Sequence, residues 1–129
     1  MIKQVFHVET YWEVRVWYNL DFDLFPDIAD ELLDNGISKY GLRELYYMMY
    51  SGLAKAVTFS NLNLHISIVL FNSHKDRADY MDSIVHEAEH IKQAMLHAYQ
   101  VIDQGEPPAY TIGYLVRRMY KVFKGFLCK

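Results

Sequence analysis

The stretch DSIVHEAEHIKQAM, residues 82–95, carries two histidines four positions apart, with a glutamate directly after the first. Around it Tyr80, Ile84, Ala88, Ile91, Met95 and Ala98 recur at steps of three and four, the period of a helix with one apolar face. Ser73-His74-Lys75-Asp76 has the spacing of a capping box, so the helix is predicted to start there and run to about Asp103. On a helix, residues four apart share a face about 6 Å apart along the axis, so His86 and His90 can direct ring nitrogens at one ion roughly 2.0–2.1 Å from each. Glu87 is turned by about 100° from His86, so it does not ligate beside them but can reach a water on the same metal.

That division of labour suits hydrolysis. Zinc lowers the pKa of its water toward about 7, and a neighbouring carboxylate takes the proton as the water attacks a carbonyl. The competing reading is a polar strip on an amphipathic helix. In a chain with 6 histidines the pattern arises by chance about 0.015 times, so it is a signal that needs context. The context is a third ligand, since catalytic zinc sites generally offer three protein ligands and one open position. A glycine three residues after His90 and a histidine three beyond that would supply one pattern, but Gln93 and Leu96 stand there. His97 lies two turns further along the same helix, about 10 Å away, too far for a tetrahedral site on an unbroken helix. Asp103 and Glu106 stay open beside it, and Glu106 is the better placed, just past Gly105 where the chain turns back. A helix N-terminus also favours an acidic residue with no metal present, and Pro107 biases Glu106 toward a cap position.

A length of 129 residues with 52% hydrophobic and 16% aromatic content fits one domain spanning residues 1–129. The net charge of -3 leaves no basic footprint, and nucleic acid is not an expected partner. Arg117, Arg118, Lys121 and Lys124 read as a solvated face. Cys128 is the one cysteine, and MIKQVFHVETYWEV lacks the apolar run of a signal peptide, so a cytoplasmic, reducing location is expected. Apolar runs such as Ile66 to Phe71 are too short for a bilayer, and no membrane association is expected.

Upstream, YWEVRVWY at 11–18 alternates as a half-buried strand. FPDIADELLDNG starts a helix near Pro26 and stops it at Asn35-Gly36. A second helix from about Ser38 carries Leu42, Leu45, Tyr46, Met49, Tyr50 and Leu53 at steps of three and four, which reads as a core stripe. AVTFSNLNLHISIVLFNS reads as extended structure with a turn or bulge near Asn61 and Asn63, His65 to Phe71 being the better strand. Pro107 and Pro108 fit a first helical turn, and Tyr110, Tyr114, Arg117 and Lys121 mark a final helix. The predicted class is α+β, in the order β-α-α-β-α-α.

TFSN at 58–61, the strand HISIVLF, IVHEAEH at 84–90 and GEPPAYTIGYL at 105–115 together resemble the small zincin-like metallopeptidases encoded by bacteria and their phages. In these, HExxH precedes a segment of the type E-x-x-A-Y-x-x-x-Y. The likeness covers about residues 57–120. It implies the gluzincin arrangement: a zinc cofactor, His86 and His90 as ligands, Glu106 as third ligand and Glu87 as base. It also implies a small twisted sheet packed on the active-site helix, with an edge strand above the cleft that pairs with a peptide or protein substrate. The strand expected in that place is His65 to Phe71. Tyr110 or Tyr114 is the expected donor to the oxyanion. The family implies no substrate, and so short a chain leaves one cleft wall to a partner chain. The alternative function is a non-catalytic zincin-fold protein, with or without metal, acting through partner binding.

Overall fold

The computed structural model describes residues 1–9, 11–100 and 106–127, the side chains of 106–109 and 126–127 aside. The chain is α+β, with a mixed four-stranded sheet and four helices: β1 (Ile2–Val8), β2 (Trp12–Tyr18), α1 (Phe25–Asp34), α2 (Lys39–Tyr50), β3 (Ala56–Asn61), β4 (Ile66–Phe71), α3 (Arg77–Tyr99) and α4 (Glu106–Leu127). Strand order is β1-β2-β4-β3. β2 and β4 run parallel, and both outer pairs are antiparallel.

Strict alternation builds β2. Trp12, Val14, Val16 and Tyr18 face α3 and α4 in one core cluster with Phe71, Ile84, Leu115, Met119 and Phe123. On the opposite face, Ile66, Ile68 and Leu70 of β4 pack with Ile28 and Leu32 of α1 and with Leu45 and Met49 of α2. The sheet is thus covered by helices on both sides. A strand covered on both faces does not alternate between buried and exposed positions, and all six residues of β4 are buried, the polar Ser67 among them.

Several expectations are corrected here. The order is β-β-α-α-β-β-α-α, because Ile2–Val8 also forms a strand and the extended stretch after α2 is two strands, β3 and β4. Its inward face includes Gln4, which hides the alternation. Gln4 accepts from the Tyr18 hydroxyl at 2.7 Å and donates to the Arg118 carbonyl at 2.9 Å, so the inward polar group is satisfied. His65 to Phe71 is not the edge strand. β4 lies between β2 and β3, and the edge beside α3 is β3. Asp76 rather than Ser73 caps α3, its carboxylate accepting from the Asp79 amide at 2.8 Å. The α2 stripe is core only at Leu45 and Met49, with Leu42 half-buried. Tyr46, Tyr50 and Leu53 are exposed, and the two tyrosine rings stack at 5.5 Å against Phe22 at the rim.

The expected turn between β3 and β4 is present. Asn61 Oδ1 accepts from the amides of Asn63 and Leu64 at 3.0 and 3.1 Å, and His65 closes the turn at φ 55°. Asn61 also donates to the Asn35 carbonyl at 3.0 Å, tying the end of α1 to the sheet. Gly36 beside it has φ +98°, a backbone conformation that favours glycine, and a Cβ there would stand 2.6 Å from Asn61 Nδ2 and displace that amide.

The buried face of α4 is Leu115, Met119 and Phe123, all 0% exposed, whereas Tyr110 is 72% exposed. Phe123→Ala should cost about 3–5 kcal/mol by the loss of buried aromatic volume, while Tyr110→Ala should stay within about 0.5 kcal/mol. Urea unfolding of both variants checks this.

Candidate functional site

The apolar stripe of α3 places Tyr80, Ile84, Ala88 and Ile91 on the sheet, each 0% exposed. Helical geometry then turns His86 and His90 outward, and both are exposed. Their Nε2 atoms stand 3.1 Å apart, with the ring planes at 80°. Two nitrogens at about 2.0–2.1 Å from a tetrahedral ion would be roughly 3.3–3.4 Å apart, so the pair suits two corners of a zinc shell. A proton between the rings satisfies the same approach, one imidazole donating to the other, so metal and proton compete for these nitrogens.

Glu87 sits at the boundary between core and cleft, 3% exposed. Its Oε1 accepts from the Thr58 hydroxyl of β3 at 2.9 Å, and its Oε2 lies 4.0 Å from His86 Nε2. Burial pushes the Glu87 carboxyl above its usual range, partly offset by the Thr58 hydrogen bond and by His86 and His90. The sheet face toward α3 becomes polar as it nears this edge, through Ser67 of β4 and then Thr58 and Ser60 of β3. Ser60 and Ser67 share a 2.7 Å hydrogen bond, and Trp12 Nε1 donates to Ser67 at 3.0 Å. The carboxylate thus meets hydroxyls where the rest of that face is apolar.

Thr58, His86, Glu87 and His90 open on one cleft of about 640 Å³ between β3 and the N-terminal half of α3. Met48, Ala54 and Ala56 form an apolar wall, and Lys55, Asp79, Asp82 and Ser83 line the cleft further toward the start of α3. Lys55 and Asp79 form an ion pair there. Lys55's hydrogen bond lowers the Asp79 pKa.

The other expected site residues lie elsewhere. His97 is exposed on α3, seven residues past His90, and does not join the pair. Tyr110 lines a second groove, with Met95, Tyr99 and Arg117, and not the histidine cleft. Tyr114 lines that groove too and donates to the His7 carbonyl at 3.1 Å. Glu106 begins α4, while its side chain and the whole of Asp103 fall outside the described residues. Among the described residues, no group of three or more His, Cys, Asp or Glu is arranged to hold a metal ion. No described helix is long and apolar enough to cross a membrane. Thr58 and Ser83 belong to the cleft although neither was expected there. TFSN stood out in the sequence as part of an extended segment and of the family resemblance, and nothing in it pointed to a partner for Glu87. Comparison with protein families, with characterised proteins and with solved structures finds no match to this chain.

In metal-free protein, Thr58→Val should raise the Glu87 pKa further, since it removes a donor to the charged form. A carbon-13 NMR titration reads this directly. The sign for stability follows from the raised folded pKa: the contribution is full at pH below the unfolded Glu pKa and is lost as pH rises through the folded value. Glu87→Gln should therefore flatten that part of the pH–stability curve in urea unfolding.

Proposed function

We propose that this chain is a small zincin-like, zinc-dependent peptidase, with His86 and His90 as metal ligands and Glu87 as general base. The observation that carries the reading is the 3.1 Å convergence of the two Nε2 atoms beside a carboxylate that opens on the same cleft. Zinc, when bound, supplies Lewis acidity to a carbonyl and to water. Glu87 takes a proton at Oε2 and returns it to the leaving amine, while Thr58 holds Oε1 and so fixes the carboxylate plane. Burial favours this exchange, because a carboxyl with a raised pKa is a better proton acceptor. Edge strand β3 is bonded on one side only, to β4, and its other side offers backbone groups to an extended peptide. Glu106 remains the third ligand of this reading, carried over from the family resemblance.

A second reading draws on Glu87 itself. It is 3% exposed and already bonded to Thr58, which suits a partner-binding protein that keeps the same core without catalysis.

Purified protein supplied with zinc should hold about one ion per chain, with His86→Ala or His90→Ala abolishing it and His97→Ala leaving it. Glu106→Gln should weaken zinc binding as loss of a ligand does, whereas a role at the helix N-terminus would cost only about 0.3–1 kcal/mol of stability. In an unbiased peptide library, Glu87→Gln should keep zinc and lose about 10²–10⁴-fold in cleavage rate. Empty wild-type protein in metal analysis defeats the site. Zinc-loaded protein that cleaves nothing favours the partner-binding reading.

A further inference from the structure

Ser83 lies one helical turn before Glu87 and lines the same cleft, yet the peptidase reading leaves it unused. Its Oγ is 2.7 Å from His74 Nε2, and His74 Nδ1 is 2.6 Å from the Asn72 carbonyl oxygen. A carbonyl can only accept, so Nδ1 carries the proton. In the neutral ring Nε2 then holds a lone pair, and the Ser83 hydroxyl is the donor of the 2.7 Å bond. Burial pulls the His74 pKa below the usual histidine range, outweighing the Asn72 carbonyl and Asp79, and Lys55 acts in the same lowering direction. The ring is further held by Tyr80, centroid to centroid at 4.2 Å. A hydroxyl, a base within hydrogen-bond reach and a third group that orients the base are the parts of an activated serine.

We infer that Ser83 is a second nucleophile, with His74 as its general base and the Asn72 carbonyl as orienter, which accepts the acyl group of a small apolar ester independently of any metal. Ser83 Oγ forms a bond to the ester carbonyl carbon as its proton passes to His74 Nε2. The carbon–alkoxy bond breaks, and the proton leaves His74 with the alcohol. Water then adds to the acyl-serine, again losing a proton to His74, and releases the carboxylic acid with the Ser83 hydroxyl restored. The apolar wall of Met48, Ala54 and Ala56 suits a short acyl chain, and Lys55, held in its ion pair with Asp79, is the cation of the same cleft.

The test is an alkyl fluorophosphonate, incubated with the full chain and mapped by tandem mass spectrometry. The adduct should fall on Ser83, with zinc or with chelator, and in Glu87→Gln as in wild type. His74→Gln should label at least about 100-fold more slowly, with a melting temperature that shows it folded. The wild-type labelling rate should rise with pH through one group titrating below the ordinary histidine range. This pH arm needs no variant to fold. Absence of a Ser83 adduct, an adduct on tyrosine in its place, a wild-type rate in folded His74→Gln, or a flat pH profile would each overturn the proposal. Because labelling needs no metal, an empty histidine pair would sink the peptidase reading and leave this one standing.

Discussion

The stripe of Tyr80, Ile84, Ala88, Ile91 and Met95 sets the rotation of α3 about its own axis, because these are the side chains that fill the cluster formed with β2, β4 and α4. A helix turns about 100° per residue, so once Ala88 points at the sheet the positions around it have no freedom left. His86 and His90 face out, and Glu87 comes to the seam where helix and edge strand meet. Rotation by one residue would bury a histidine among Val16, Phe71 and Phe123 or pull an isoleucine into water. The placement of the cleft is thus a consequence of core packing.

That seam carries an unfavourable term. A carboxylate at 3% exposure loses most of its hydration, and burial of a charge without partners is costly. The Thr58 hydroxyl and the nearby imidazoles offset part of this, and the rest remains as a raised proton affinity. The same desolvation that weakens the fold at neutral pH makes the carboxylate a stronger base. Stability and proton affinity are set against each other at one residue.

The edge position of β3 shapes the rest of the cleft. Its neighbour β4 has both faces and both sides occupied, and its side chains can serve only the two cores. β3 has one side without a strand, and its face toward α3 carries the polar residues Thr58 and Ser60, of which Thr58 reaches Glu87. The cleft therefore combines a hydroxyl-bearing edge, a helix rich in titratable groups and an apolar wall from α2 and the loop after it. His74 and Ser83 add a further link, joining the loop after β4 to the middle of α3's cleft face.

Local periodicity, with the prolines, glycines and caps at segment ends, determined the helices and the strand β2, whereas the buried face of α2 was narrower than its stripe, only Leu45 and Met49 being core. It also placed His86, Glu87 and His90 on one helix, since their spacing needs no knowledge of the remaining chain. Two strands escaped it for opposite reasons. Gln4 breaks the inward alternation of β1 because Tyr18 and the α4 backbone, both distant in sequence, satisfy it. β4 reads as a strand but not as an interior one, because strand order is a property of pairing and leaves no mark within a single segment. Only the tertiary structure decided that Thr58 meets Glu87, that Ser83 meets His74 and that Tyr110 looks into a different groove. Each of these contacts joins elements whose relative placement depends on how the sheet is covered, and side-chain chemistry at one position carries no information about what will be folded against it.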